Sequence, residues 1–366
     1  MQVFNSIAAI STAVGTATFD QARVQHMVVA GEQPFPRPLP LIDTGDDQVP
    51  RWLAEFHTTA PRPPAVALHC HFIRDLILVG HDTPFIDDTL LGGPDAMPVY
   101  RSNLVQNDHR DLVAAARALP VKVIDEPCFP IAADGNVYGH FLIEAIPRLH
   151  IVRRTLAGEL PPFKVLVVRT LPAWARTIMR DHYGVRPEDL IEYDPGSEQV
   201  LLRQAIWPSL TVQQDYFHPF NNQVIGELLQ DVGGGRRLCL DRVFLSRVLF
   251  ANPLMQERNI GNELELAGIA SREFGFIPIS PELLSWADQI RLFSEIRHVV
   301  GVFGSGLHNA LFARRSCRVG VIGFKNLVQT SISALRQQHL AYQMVGEEHG
   351  AQLDTDRFRR LLASIT

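Results

Sequence analysis

Two groups of residues in this 366-residue chain have types and spacings that can do chemistry. In the first, His140, Glu144 and Arg148 fall at i, i+4 and i+8, which a helix sets in one polar stripe. A His or Glu presented from one domain towards a phosphate site on another is what base-catalysed attack by a hydroxyl needs. The plainer alternative is a Glu144–Arg148 ion pair beside a capping His. In the second group, the apolar run Val299–Phe303 turns through Gly304, Ser305 and Gly306 into the apolar stretch Leu307–Phe312. A strand turning directly into a helix exposes backbone N–H groups at the positive end of the helix dipole, a seat for phosphate. This is not a dinucleotide fingerprint: Asn309 stands where a third glycine would, and no acidic residue follows about twenty positions on. A simple tight strand-to-helix connection remains the alternative.

Upstream, Phe244-Leu-Ser246-Arg247 ends a predicted strand at its carboxyl edge, and Arg258-Asn-Ile-Gly-Asn262-Glu263 opens the next helix. Two guanidinium groups and a helix start at one sheet edge can clamp a diphosphate. Taken singly, each arginine is equally explained by ion pairing with Glu257 or Glu263. His69 and His71 share one face of a strand, with His81-Asp82 following; they read as exposed strand histidines rather than a metal site. Asp354-Thr-Asp356 has the letters of a metal motif, but its place before the terminal helix predicts a cap. HExxH, Walker A and GxSxG motifs are absent.

The elements that must position these residues alternate. Short apolar runs at 121–125, 164–168 and 190–193 interleave with helical stretches near 138–156 and 172–183, the pattern of βα units around a parallel sheet. Pro147 falls inside the first of these helices and predicts a kink or an early end. Before them, Val66–Ile73 and Leu76–Val79 suggest a small antiparallel element, and the Pro-rich stretch from Pro34 to Pro64 reads as loop. After a helix ending near Asp231 and the breaker Gly233-Gly-Gly, a second series follows. Its strands are at 242–246, 276–279, 298–303 and 318–322, with helices after Arg258, at 286–296 and after Gly306. Ser285-Trp-Ala-Asp288 is a capping pattern, and Phe358, Leu361, Leu362 and Ile365 make one apolar face of a last helix.

Length favours two domains. The expected architecture is α/β, with two Rossmann-like domains facing across a cleft and a small β-rich N-terminal element. Residues 1–215 are expected to form one domain and 216–366 the other, the last helix being free to pack back on the first. Lys+Arg of 34 against Asp+Glu of 39 leave a net charge of −5, without the positive excess that nucleic acid needs. Four cysteines without CxxC spacing read as reduced core thiols. The uncharged stretch Met1–Phe19 lacks a basic n-region and reads as neither signal peptide nor membrane span. The expected location is cytoplasmic, at most peripheral to the inner face of the cell membrane.

Tyr138-Gly-His-Phe-Leu-Ile-Glu-Ala-Ile-Pro-Arg-Leu149, Phe244-Leu-Ser-Arg247, Arg258-Asn-Ile-Gly-Asn-Glu263 and Gly304-Ser-Gly-Leu-His-Asn-Ala-Leu-Phe312, in this order, resemble glycosyltransferase family 61. Bacterial members of that family include capsular polysaccharide biosynthesis proteins. The resemblance implies a GT-B fold and an inverting transferase that moves a sugar from a nucleotide-sugar donor, UDP-sugar foremost, to a glycan or glycolipid acceptor. It also implies an acceptor-side role for the domain 1–215 and a nucleotide-sugar-binding role for 216–366. Carried over, Ser246, Arg247, Arg258, Asn262 and Glu263 would contact the nucleotide sugar. Gly304, Ser305, Gly306, His308 and Asn309 would form the turn beneath the phosphates. His140 or Glu144 would be the base. No cofactor is required, with a divalent cation left open, and no metal ligands are assigned. Ser305, His308 and Phe141 depart from the family's usual residues. The rival reading is an idle glycan- or nucleotide-binding subunit of a biosynthetic complex, against which the intact phosphate-site and base candidates argue.

Overall fold

β-branched and other apolar runs build two large sheets in the computed structural model, which describes residues 2–4, 6–13, 19, 22–44, 51–58, 64–93, 96, 110–131, 136–213, 216–233, 239–249, 260–323, 327–346 and 350–366. The chain divides into two compact units, Met1–Gln33 with Pro64–Gln214, and Pro34–Pro63 with Asp215–Thr366. It passes between them three times, whereas the sequence reads 1–215 as continuous. The Pro-rich stretch expected as loop contains the helix Arg51–Thr58 and packs with the second unit. Phe56 stacks on Tyr216 at 5.1 Å between ring centroids, and the Ile42 N–H donates to Leu340 O at 2.8 Å.

The first unit holds β1 (Gln2–Phe4), β2 (Thr12–Ala13), β3 (Val24–Ala30), β4 (Leu68–Val79), β5 (Thr83–Ile86), β6 (Thr89–Leu91), β7 (Val121–Pro130), β8 (Lys164–Val168), β9 (Leu190–Tyr193), β10 (Gln199–Pro208) and the two-residue β11 (Val212–Gln213). The sheet runs β1-β6-β5-β4-β10-β7-β8-β9, with β3 also paired to β4. β10 pairs antiparallel with β4 and parallel with β7. The antiparallel element expected as separate is therefore part of one mixed sheet. The two runs Val66–Ile73 and Leu76–Val79 form a single strand, β4, in which Asp75 takes the left-handed region at φ 54°, as Asp tolerates.

In the second unit, after β12 (Tyr216–Phe217), come β13 (Arg242–Leu245), β14 (Ile277–Ile279), β15 (His298–Val302), β16 (Arg318–Gly323) and β17 (His339–Met344). The last five lie in the order β14-β13-β15-β16-β17, all parallel. Counted within this sheet the order is 2-1-3-4-5, a doubly wound arrangement whose switch point falls between β13 and β15. β15 and β16 are buried beyond their first residues, as strands covered on both faces must be. Helices Glu263–Phe274 and Thr355–Ile365 lay Leu266, Ile269, Phe358, Leu361 and Leu362 into one cluster with Phe244, Val300 and Ile322. The terminal helix thus docks on the sheet of its own unit.

Helix starts follow the predicted caps. The Asp354 carboxylate accepts from the N–H groups of Asp356 at 3.1 Å and Arg357 at 2.9 Å, and Ser285 Oγ accepts from Asp288 N–H at 3.1 Å. Cys70, Cys128 and Cys317 are buried free thiols, but Cys239 is exposed and not a core residue. No helix among the described residues is long and apolar enough to cross a membrane.

Candidate active site

In the first unit, β7 is followed by a helical stretch that changes pitch three times. Tyr138–His140 and Ile146–His150 are α-helical, whereas Phe141–Ala145 and Ile151–Thr155 form π turns. The sequence predicts a kink or an early end at Pro147; the helix does not end there but continues to Thr155. The wide turn just before Pro147 gives its ring room and absorbs the hydrogen bond that it cannot donate. Phe141, wholly buried, packs edge-on against Trp174 at 5.2 Å and anchors this segment.

On the same segment His140 Nδ1 and Glu144 Oε1 are 2.8 Å apart. Glu144 is buried and the His140 side chain is 34% exposed, so the imidazole is within reach of solvent while its orienting carboxylate is not. An Nδ1–H given to a carboxylate leaves Nε2 as the basic nitrogen. One turn on, Arg148 is 1% exposed. Its Nε donates to Pro208 O at 2.9 Å, and its guanidinium lies over the Trp207 ring at 4.8 Å and the Phe129 ring at 5.7 Å. Burial pushes the Arg148 pKa down to about 10, with the charge of Glu144 opposing that shift. The stripe of three thus becomes a dyad over a buried cation.

In the second unit, the carboxyl ends of β13 and β15 meet at the switch point. Glu263, buried in the first turn of its helix, accepts from Ser246 Oγ at 2.9 Å and from Arg247 N–H at 2.5 Å. This fixes the backbone turn from which the Arg247 side chain leaves. That side chain reaches Gly304: a Cβ added there would fall on Arg247 Nη1. Only glycine lets the guanidinium and the turn approach so closely. The turn itself differs from expectation. Leu307–Phe312 is a six-residue 3-10 segment rather than an α-helix, closed by bonds from the N–H groups of Leu307, His308 and Asn309 to the carbonyls of Gly304, Ser305 and Gly306. The amides of residues 304–306 donate to none of these bonds, and the turn stands at the edge where open sheets take ligands.

The remaining candidates are spread around this edge. Asn262 binds the backbone of Leu353 twice, through Nδ2 at 2.9 Å and Oδ1 at 3.1 Å, which ties the start of its helix to the segment before the last one. Asn309 is wholly buried and donates to Gln289 Oε1 at 2.8 Å; His308 is buried beside Phe303 at 5.8 Å. Arg258 lies outside the described residues. Gln289, which holds Asn309, escapes sequence reading because it sits on the buried side of the helix Trp286–Glu295 without a motif of its own.

His69 and His71 are not exposed together. His71 is wholly buried on β4, its pKa held well below the ordinary value by burial and by neighbouring His69 and His26. The three rings lie 4.6–5.9 Å apart. Among the described residues no group of three or more His, Cys, Asp or Glu is arranged to hold a metal ion.

No curated protein matches the chain. The family model for glycosyltransferase 61 matches residues 138–320, half of the chain, from the first residue of the helix that bears His140 and Glu144 to the middle of β16. With its base-like dyad and its arginine-lined glycine turn both inside that match, the chain belongs to glycosyltransferase family 61.

Proposed function

We propose that this glycosyltransferase moves a sugar from a nucleotide-sugar donor, a UDP-sugar foremost, to a hydroxyl of a glycan or glycolipid in bacterial surface or capsular polysaccharide biosynthesis, with inversion at the anomeric carbon. The observation that carries this reading is the close approach of the Arg247 guanidinium to Gly304 at the switch point of the parallel sheet. A cation beside a glycine turn at that edge suits a diphosphate.

In the proposed reaction, used in the manner of GT-B enzymes, the second unit holds the donor and the first activates the acceptor. His140 Nε2 takes the hydroxyl proton while Glu144 orients the ring. The hydroxyl oxygen attacks the anomeric carbon from the face opposite the leaving group. The bond from that carbon to the β-phosphate oxygen breaks, and the nucleoside diphosphate leaves with the electron pair. Arg247, with Arg258 as a second cation, and the amides of 304–306 balance the charge that develops. The scheme needs no cofactor, and a divalent cation on the diphosphate is compatible with it.

The test is thermal unfolding against UDP, GDP, CMP and their sugar conjugates, since a ligand bound only by the native state raises its apparent stability. A selective shift with one nucleotide, diminished in Arg247→Ala, is the expected result. No shift with any of them moves the reading to the glycan-binding subunit. NMR of the anomeric centre of the product then decides inversion.

A further inference from the structure

The helix Val328–Arg336, which follows β16, carries polar groups that its own fold leaves unsatisfied. Gln329 is 0% exposed, yet neither its Nε2 nor its Oε1 has a hydrogen-bond partner. The hydroxyls of Thr330 and Ser333, 0% and 1% exposed, are in the same condition. Buried amides and hydroxyls left unpaired are costly and rare, so each asks for a partner.

Their position says which partner. At its far end this helix is tied to the end of the 3-10 turn. Gln338 Nε2 donates to Ala310 O at 2.8 Å and Ala313 O at 3.3 Å, and Arg336 Nη2 donates to Ala313 O at 3.3 Å. The turn and the helix follow neighbouring parallel strands, β15 and β16, and so run side by side from the same sheet edge. Gln329, Ser333 and Arg336 fall at i, i+4 and i+7, one helix face, and the Arg336 guanidinium bridges from it to Ala313 O and, at 2.7 Å, to Asn222 Oδ1. Gln329 therefore lies beside the start of that turn, where Gly304–Gly306 and Arg247 are.

Phosphate alone does not satisfy the cluster. An unfilled acceptor, Gln329 Oε1, needs a proton donor, and an ionised phosphate has none to give. The cluster has no charge, and each of its groups both donates and accepts, as sugar hydroxyls do. We propose that Gln329, Thr330 and Ser333 form a subsite that binds hydroxyl groups of the donor, beyond the phosphates held at the glycine turn. The proposal rests on the transferase reading above. Those hydroxyls belong either to the transferred sugar or to the ribose.

The experiment compares wild type, Gln329→Met and Thr330→Val in thermal unfolding without ligand and with UDP, UDP-glucose, UDP-N-acetylglucosamine and UDP-xylose. Removing an unsatisfied amide raises the melting temperature of ligand-free Gln329→Met by about 2–4 °C. Affinity falls at least about tenfold in both variants, for a contact worth the usual hydrogen bond to a buried polar group. Loss confined to the sugar conjugates places the subsite at the transferred sugar, and equal loss with UDP places it at the ribose. Variants that bind every probe as the wild type does overturn the subsite. If Gln329→Met does not fold, Thr330→Val decides by the same affinities. Where GDP or CMP rather than UDP shifts the wild type, the conjugates of that nucleotide replace the UDP series; if none of the three shifts it, the transferase reading itself fails and the subsite falls with it.

Discussion

Gly304→Ala separates donor binding from folding. The new methyl falls on Arg247 Nη1 with Arg247 Cζ at 3.6 Å, while the nearest atom of any other residue, Val302 O, is 4.0 Å away. Nη1 is the end of a long flexible side chain, so the guanidinium swings aside and stability changes within about 0.5 kcal/mol, as for a surface substitution. The same swing breaks the proposed guanidinium–phosphate contact. A hydrogen bond to a charged group contributes about 1.5–3 kcal/mol, which is about 10- to 150-fold in Kd at 1.4 kcal/mol per decade. Gly301→Ala is the contrasting perturbation. Its methyl meets Leu245 Cβ at 2.9 Å and Leu245 O at 3.3 Å, atoms of the adjacent strand β13 that have nowhere to go. Overpacking of that kind costs about 1–3 kcal/mol. Urea unfolding measures the first quantity and calorimetric titration with the nucleoside diphosphate that shifts the wild type measures the second. A folded Gly304→Ala protein with wild-type affinity refutes the assignment of this edge to the donor phosphates.

His140→Gln should lower kcat by about 10²–10⁴, the usual contribution of a general base, while Glu144→Gln, which keeps the ring in place less well, lowers it by less; steady-state rates across a pH series check both, and equal activity to wild type removes the dyad from the mechanism. Below pH 6.5 the protein should lose stability through His71. Its folded pKa lies under the unfolded value, so only the unfolded chain takes up the proton as pH falls through that window. Melting temperatures from pH 7.5 to 4.5, with His71→Asn flattening the slope, are the measurement. Ser285→Ala removes the cap bond to Asp288 N–H and costs about 1 kcal/mol, read as a lower urea midpoint with nucleotide affinity unchanged.

Parallel strands and capped helices were legible because their signals are local. β15 and β16 are apolar runs of the right length, and Ser285 and Asp354 bond the amides that their positions predict. What escaped depends on distant partners. β10 ends in Trp207-Pro208 and lacks clean alternation, yet it joins β4 to β7 and so merges two expected pieces into one sheet. The helix Val328–Arg336 is rich in Ser, Thr and β-branched residues, poor helix formers that packing overrides. At the site, His140 and Glu144 at i, i+4 were readable as a pair. The depth of Arg148 was not, because it depends on Trp207 and Phe129 from two strands far along the chain. The apolar letters of Leu307–Phe312 cannot tell an α-helix from a 3-10 turn.

The segment Pro34–Pro63 belongs with residues that are made last. Arg37 O accepts from Gln337 Nε2 at 2.7 Å across 300 positions of sequence, and Ile42 pairs its N–H with Leu340 O. At ribosomal rates of about 5–20 residues per second, that segment leaves the ribosome about 15–60 s before its partners exist. Until then its bonds to Gln337 and Leu340 cannot form, so the second unit closes late, when both segments are available. A ribosome that stops short of β17 leaves behind a product whose beginning, as well as its end, is unfinished.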